Sequence, residues 1–212
     1  MSARATVRIH PTALVEKGAE IGEGTSVWDN VHIRGPSRIG RDCIIGEKTY
    51  IAYGVSIAER VKINAFVYIP TGVTIEAGVM ISAGTIFTND RFPRAATNDL
   101  SALRESGPDA HTEETVVRAG ATIGAGARIG PGIEIGAFAM VGMGAVVTRP
   151  VPPHTLVTGN PARAAGLVCR CGEPVFRGAP ADAPEGDVTC PACAAAYEIQ
   201  KGRLLDARGG PA

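Results

Sequence analysis

The sequence has little that would commit it to nucleic acid or to a membrane. Its 212 residues carry 21 Lys plus Arg against 21 Asp plus Glu, so neither sign of charge dominates. No basic stripe interleaved with aromatics is present to track a phosphate backbone, and nucleic acid is not an expected partner. No stretch approaches the ~20 consecutive apolar residues that a membrane-spanning helix needs. The opening MSARATVRIHPTALVEKG has arginines but no continuous apolar run of the kind an export signal requires. These absences predict a soluble, cytoplasmic protein. Histidine is scarce, with only His10, His32, His111 and His154. Cysteine is scarce too, and four of the five, Cys169, Cys171, Cys190 and Cys193, crowd near the C-terminus. Without an export signal that crowding favours metal over disulfides.

What the chain does have is a period. Steps of six from Ile9 give Val15, Ile21, Val27, Ile33, Ile39, Ile45, Ile51, Ile57, Ile63, Ile69, Ile75, Ile81 and Phe87, all apolar. The frame resumes at Val117 and runs through Ile123, Ile129, Ile135, Val141 and Val147. Two positions earlier sits a small or β-branched residue, as in Val31, Val61 and Ala127, which makes an in-out-in strand. Glycine recurs one or three residues after many anchors, where a sharp corner follows. At about 100° per residue an α-helix would scatter such positions over three faces. The pattern therefore predicts an all-β chain of stacked coils, a parallel β-solenoid. Cys43 falls on the small inward position and reads as a packed core thiol.

Two segments break the frame. Residues 88–116 are too long and polar for a corner, and loops of this length are usually functional or disordered. After Ala165 the period stops, and CRCG followed by CPAC reads as a small zinc ribbon, with thiolates from two turns converging on one tetrahedral ion. The first pair is C-x-C where a standard knuckle has C-x-x-C; a redox pair is the alternative. A segment of about 40 residues cannot bury enough core unaided, so a structural metal is expected there. Residues 177–187, RGAPADAPEGD, read as a mobile loop. The expected division is 1–165 for the repeat domain, with 88–116 as its inserted loop, and 166–212 for the ribbon-like segment.

The runs IGEGTSVW, IGRDCIIGE, ATIGAGARIGPGIEIG and VGMGAVVT resemble the hexapeptide-repeat acyltransferases, and the resemblance implies a left-handed parallel β-helix. IFTNDRFPRA, residues 86–95, is similar to the segment that opens the long loop in sugar-nucleotide 3-N-acetyltransferases. RPVPPHTLVTGNPAR, residues 149–163, resembles the C-terminal segment of acetyl-CoA-dependent members. The resemblance implies a homotrimer whose loop walls a cleft between neighbouring prisms, with acetyl-CoA as co-substrate and a nucleotide-linked amino sugar as acceptor. It implies that Asn89 holds the acceptor amine beside Asp90, and that Gly142 and Gly144 border pantetheine. It further implies that Arg149, Asn160, Pro161 and Arg163 lie toward CoA. The bland readings stand beside these: Asn89 and Asp90 as an Asx-type turn, and Arg149 as a solvated surface arginine.

Acyl transfer to an amine needs a positioned neutral amine, support for the oxyanion and a route for one proton. No histidine is assigned as base by motif. His32 reads equally as wall residue and ligand contact, His111 as a loop histidine that the cleft could recruit, and His154 as a surface residue. Arg94 is a further substrate-binding candidate. O-acetylation of a sugar or small hydroxyl compound remains an alternative, one that ordinarily calls for a histidine base. A zinc hydratase of the γ-carbonic-anhydrase type needs three suitably spaced histidines, which this chain lacks. An inert β-helical scaffold is disfavoured by the polar loop and the NPAR segment.

Overall fold

The computed structural model describes residues 6–206, so the outermost ends of the two expected segments lie outside the described residues. Each six-residue step forms a strand of two or three residues and then a corner. Strands on the first face include Arg8–Ile9, Ser26–Val27, Ile44–Ile45, Lys62–Ile63, Met80–Ile81, Thr122–Ile123 and Met140–Val141. The second face carries Leu14–Val15, His32–Ile33, Tyr50–Ile51, Tyr68–Ile69, Ile86–Phe87, Arg128–Ile129 and Val146–Val147. The third carries Ala19–Ile21, Ser37–Ile39, Ser56–Ile57, Val73–Ile75, Thr115–Val117 and Glu134–Ile135. Every strand pairs in parallel with the one three strands on, so the chain is a three-sided β-solenoid whose sheets run along its axis. Coils are therefore about 4.8 Å apart.

The six-residue anchors fill the axis. Ile33, Ile45, Ile51, Ile63, Ile69, Ile81, Phe87, Val117, Ile123 and Ile135 are fully buried. The smaller inward position carries Val31, Val61, Cys43 and Ala121, and also Thr25, Thr49 and Thr85. These hydroxyls are tolerated because each reaches a corner carbonyl: Thr25 Oγ1 donates to Gly40 O at 2.8 Å and Thr49 Oγ1 to Asn64 O at 3.1 Å.

The long loop leaves after Phe87, at the corner between the second and third faces, and the frame returns at Thr115. The interruption is slightly shorter than 88–116, because Thr115 and Val116 already pair with Val73 and Thr74. Within the loop, bridges form between Asp90 and Thr112 and between Ala96 and Leu103.

Past the last coil, Thr155–Thr158 joins the first face, Arg163–Val168 turns back antiparallel to it, and Pro174–Arg177 follows. A separate antiparallel sheet of Gly186–Thr189, Ala196–Gln200 and Arg203–Asp206 completes the C-terminal part. The segment 177–187 is more regular than its composition suggests. Residues Pro180–Asp182 form a 3-10 turn, Ala183 is buried, and strand structure begins at Gly186. A second small core of Leu167, Tyr197, Ile199 and Leu204 holds this part together.

His154 corrects the surface reading. It is fully buried, its ring stacked on Phe138 at 5.4 Å and set edge-on to Tyr197 at 5.7 Å. The Phe138 ring in turn covers Gly120, where a Cβ would come within 2.4 Å of it. This column of rings fastens the C-terminal part to a corner of the solenoid. Nothing local to His154 hints at it, because the covering residue, Tyr197, is 43 positions away. His154 Nδ1 lies 2.8 Å from the Val168 carbonyl and Nε2 has no partner among the described residues, so the ring is neutral with its proton on Nδ1. Burial, reinforced by the nearby Arg170 charge, holds its pKa below the usual 6.5. The unfolded chain therefore binds a proton that the folded one resists. The stability His154 contributes is complete above about pH 6.5 and declines as pH falls below it. Thermal unfolding of the parent is expected to shift downward between pH 7 and pH 5, with a shallower slope for His154→Phe.

Candidate active site

The loop folds back over the second face and encloses a cavity of about 370 Å³. Arg34, Tyr50, Tyr68, Pro70 and Thr71 form its floor, and Asn89, Asp90, Arg94, Arg104 and Asp109 its wall. The floor follows from register. His32, Tyr50 and Tyr68 occupy the same outward position on three successive coils. Tyr50 and Tyr68 stack at 5.2 Å with His32 edge-on to Tyr50 at 5.4 Å. Tyr50 packs partly against the core, and both it and Tyr68 line the cavity on the loop side. The column escapes a reading in steps of six and is visible in steps of eighteen, one coil per step.

Asn89 sits at the loop's root. Its Nδ2 donates to Thr71 O at 3.1 Å, while Glu113 N donates to Asn89 O at 2.8 Å. The carboxamide is thereby oriented with Oδ1 unused among the described residues, left to accept a hydrogen bond. Asp90 behaves differently. Its Oδ1 accepts from Phe92 N at 2.8 Å, an Asx turn that shapes the loop's first bend. Arg94 lines the cavity, and its guanidinium meets only the neighbouring Pro93 carbonyl, with no ion pair among the described residues. Arg104 is paired with Asp109 and Arg34 with Glu16, each at 2.8 Å.

Of the histidines, His32 lies beside the cavity without lining it, its Nε2 2.8 Å from Glu16 Oε1. Hydrogen bonds from His32, then Arg34 and Gly35, hold the Glu16 carboxyl below its usual range. His111 is exposed on another side of the loop, next to Thr97, Asn98 and Asp99. The structure thus brings Asn89, Asp90 and Arg94 together and leaves His111 outside.

The corner between the first and second faces has a second feature. One position per coil there is left-handed: Asn30, Lys48 and Phe66 at φ 53°, 56° and 59°, then Gly84, Gly126 and Gly144 at 70°, 70° and 67°. Side chains are accepted in the early coils, so the backbone alone does not demand glycine. Nor does packing, since a Cβ on Gly126 or Gly144 would meet nothing within 4 Å, and one on Gly84 only the edge of Gly126. The result is a strip free of side chains along the last three coils, ended by Phe66, which is 57% exposed. Gly142 is different, because its Cβ position is taken by the Thr158 methyl at 2.9 Å. Gly142 is small for packing. Arg149, Asn160, Pro161 and Arg163 are exposed around the end of the same face, where Val146 N donates to Gly159 O and Ala162 N to Val146 O.

At the C-terminal part the Sγ atoms of Cys169, Cys171, Cys190 and Cys193 all lie within 4.8 Å of one another, with Cys169 and Cys193 3.5 Å apart and Cys171 and Cys190 3.6 Å apart. A tetrahedral site with Zn–S of about 2.3 Å puts sulfurs roughly 3.8 Å apart, so the donor set fits zinc despite the C-x-C spacing. Each pair sits on its own turn, closed by Cys169 N to Glu173 O and Cys190 N to Ala195 O. Burial works against the Cys169 thiolate, but the Cys171 amide and the Tyr197 hydroxyl, 3.1 Å away, bring its pKa down to about 7.

Comparison with known proteins agrees with this architecture. The bacterial transferase hexapeptide model matches residues 18–53, and the hexapeptide repeat of succinyl-transferase matches residues 36–71 and 116–149. These matches fall within the two repeat blocks and leave the loop and the C-terminal part unmatched. A 57-residue stretch is 46% identical to dTDP-3-amino-3,6-dideoxy-alpha-D-galactopyranose 3-N-acetyltransferase of Aneurinibacillus thermoaerophilus, covering 27% of this chain and 30% of that enzyme. The acetyltransferase domain of PglB from Neisseria gonorrhoeae, solved with acetyl coenzyme A, superposes with a TM-score of 0.51 at 21% identity, over 77% of this chain and 59% of that one. An N-acyltransferase from Bacillus cereus, AntD, solved as a mutant with dTDP and coenzyme A, gives 0.55 at 19% identity, over 76% and 82%. At these identities the structural likeness establishes the shared solenoid. No helix among the described residues is long and apolar enough to cross a membrane.

Proposed function

We propose that this protein transfers the acetyl group of acetyl-CoA to the amino group, at C3, of a nucleotide-linked amino sugar. The observation that carries the reading is Asn89: a carboxamide fixed through Nδ2 in the lining of a cavity, its Oδ1 without a partner among the described residues, beside Arg94, which has no ion pair among them. An accepting oxygen directs an amine's lone pair away from itself, toward a thioester carbonyl on the far side. The amine nitrogen bonds to the carbonyl carbon, the C–S bond breaks, and the departing thiolate takes the amine's surplus proton. No histidine base is needed in this scheme, in keeping with His111 outside the cavity and His32 held by Glu16. Asp90 shapes the turn, and Arg94 meets the acceptor's phosphate oxygens, for which a guanidinium fork is suited.

The donor fits the glycine strip. Pantetheine would lie along Gly84, Gly126 and Gly144, with Gly142 beneath and Arg149, Asn160, Pro161 and Arg163 toward the CoA phosphates. The acceptor floor and the end of this strip share the second face, with Tyr68 and Val146 three coils apart, about 14 Å. A lysine or leucine side chain in the strip should block the donor alone. Gly126→Leu is expected to raise the KM for acetyl-CoA at least tenfold, the cost of about 1.4 kcal/mol of binding, with the acceptor KM unchanged. The same KM for acetyl-CoA in variant and parent would place the donor elsewhere.

Further parts of the reading are a homotrimer, with the loop of one prism walling a cleft against the next, and a structural zinc on Cys169, Cys171, Cys190 and Cys193 in the 166–212 segment. Both belong to a cytoplasmic enzyme whose thiols stay reduced. The activity is tested by following thiol release from acetyl-CoA with nucleotide-linked 3-amino sugars and their 3-hydroxy counterparts. Release with the amines alone supports the reading. Release with the hydroxyl compounds instead would establish O-acetylation.

A further inference from the structure

The loop that supplies Asn89 is tied down at its root in a way that neither the core nor the cavity accounts for. Arg91 and Glu113, on its two stems, form a bidentate fork, Nε to Oε1 at 2.9 Å and Nη2 to Oε2 at 2.7 Å. The side chains are 55% and 33% exposed, and an ion pair so placed adds little to stability. What the fork does is geometric, because two parallel hydrogen bonds fix a carboxylate in plane. Glu113 is also the residue whose amide donates to the Asn89 carbonyl, and the neighbouring pair Asp90 and Thr112 forms an antiparallel bridge.

A second observation points the same way. The Glu113 carboxylate rests over Gly132, where a Cβ would stand 2.0 Å from Oε2. Gly132 has φ 67°, but Asn30, Lys48 and Phe66 adopt nearly the same conformation at other corners. The missing side chain at 132 is therefore what seats Glu113. Elsewhere the loop's charged and hydroxyl groups bond mainly within the loop, as in Arg104 with Asp109 and Thr97 with Asp99.

We propose that Arg91 and Glu113, seated on Gly132, are positioning residues that hold the Asn89 carboxamide in register with the acceptor amine. The proposal rests on the catalytic reading of Asn89. If it holds, the pair acts only through Asn89, and its removal costs turnover while leaving the donor site alone.

The test is a double-mutant cycle on the full chain. Arg91→Lys keeps the charge and loses the fork, and Glu113→Gln keeps the shape and loses the charge. Each is expected to lower kcat by about tenfold, the scale of a small misplacement of a reacting group, with the KM for acetyl-CoA and the melting temperature close to the parent's. Introduced into Asn89→Ala, the same changes should cost nothing further. Equal losses in both backgrounds would show a role independent of Asn89, and parent turnover in Arg91→Lys and Glu113→Gln would show no role; either overturns the proposal while leaving Asn89 intact. If Asn89→Ala itself turns over at the parent rate, the underlying reading falls and the proposal with it. Gly132→Ala serves as a third variant that touches neither charge, with the same expected loss.

Discussion

Asn89→Ala is expected to lower kcat/KM by about 10²-fold, the scale of removing one well-placed polar group from an active site. The loss should fall mainly on kcat, because the carboxamide matters most when the amine's lone pair is directed at the thioester. Asp90→Asn is expected to do much less, since its observed work is to accept the Phe92 amide at 2.8 Å, which an asparagine oxygen can also do. A rate that falls with protonation of a carboxylate, and that vanishes in Asp90→Asn, would instead make Asp90 the base. The folding control is direct, because Asn89 Nδ2 bonds Thr71 O. A variant that unfolds or loses the loop's root reports on structure, so circular dichroism and melting accompany the kinetics.

The second large effect is expected at the four cysteines. Metal analysis of the purified protein should find one zinc per chain, and the Cys190→Ser, Cys193→Ser variant should find none. Binding of structural zinc by small domains is worth roughly 10–16 kcal/mol and is largely their folding energy. The sheet of Gly186–Thr189, Ala196–Gln200 and Arg203–Asp206 should therefore become open to proteolysis in the variant, as it should in the parent after chelation. The solenoid should stay folded and retain acetyl transfer, since the cavity lies on coils remote in sequence from these thiols. Unchanged metal content in the variant would contradict the assignment.

The solenoid was legible because its physics repeats. Each strand buries an anchor six residues after the last, and Ile33, Ile45, Ile51, Ile57, Ile63 and Ile69 are buried as that spacing requires. The root of the loop was legible as well, since Asn89, Asp90 and Arg94 stand where the period fails and the structure gathers them at one cavity. The aromatic floor was not, because Tyr50 and Tyr68 meet only through pairing of adjacent coils, eighteen residues apart. His154 was misread for a similar reason. Its burial is decided by Tyr197 and Val168, contributed by a segment with no period to extrapolate. Gly142 and Gly144 look alike in sequence, yet Thr158 fills the space over one and nothing fills the space over the other. Only the coil that follows distinguishes them.

Acetyl transfer from acetyl-CoA to a sugar amine at this cavity leaves a product that can be read directly. The position of the new acetyl group in the product formed from acetyl-CoA and a nucleotide-linked 3-amino sugar is read by NMR and set against thiol released. The expected result is one acetamide at C3 per thiol, formed by the parent and about 10²-fold more slowly by Asn89→Ala. An O-acetyl product, or thiol release that proceeds equally without the amino sugar, would contradict it.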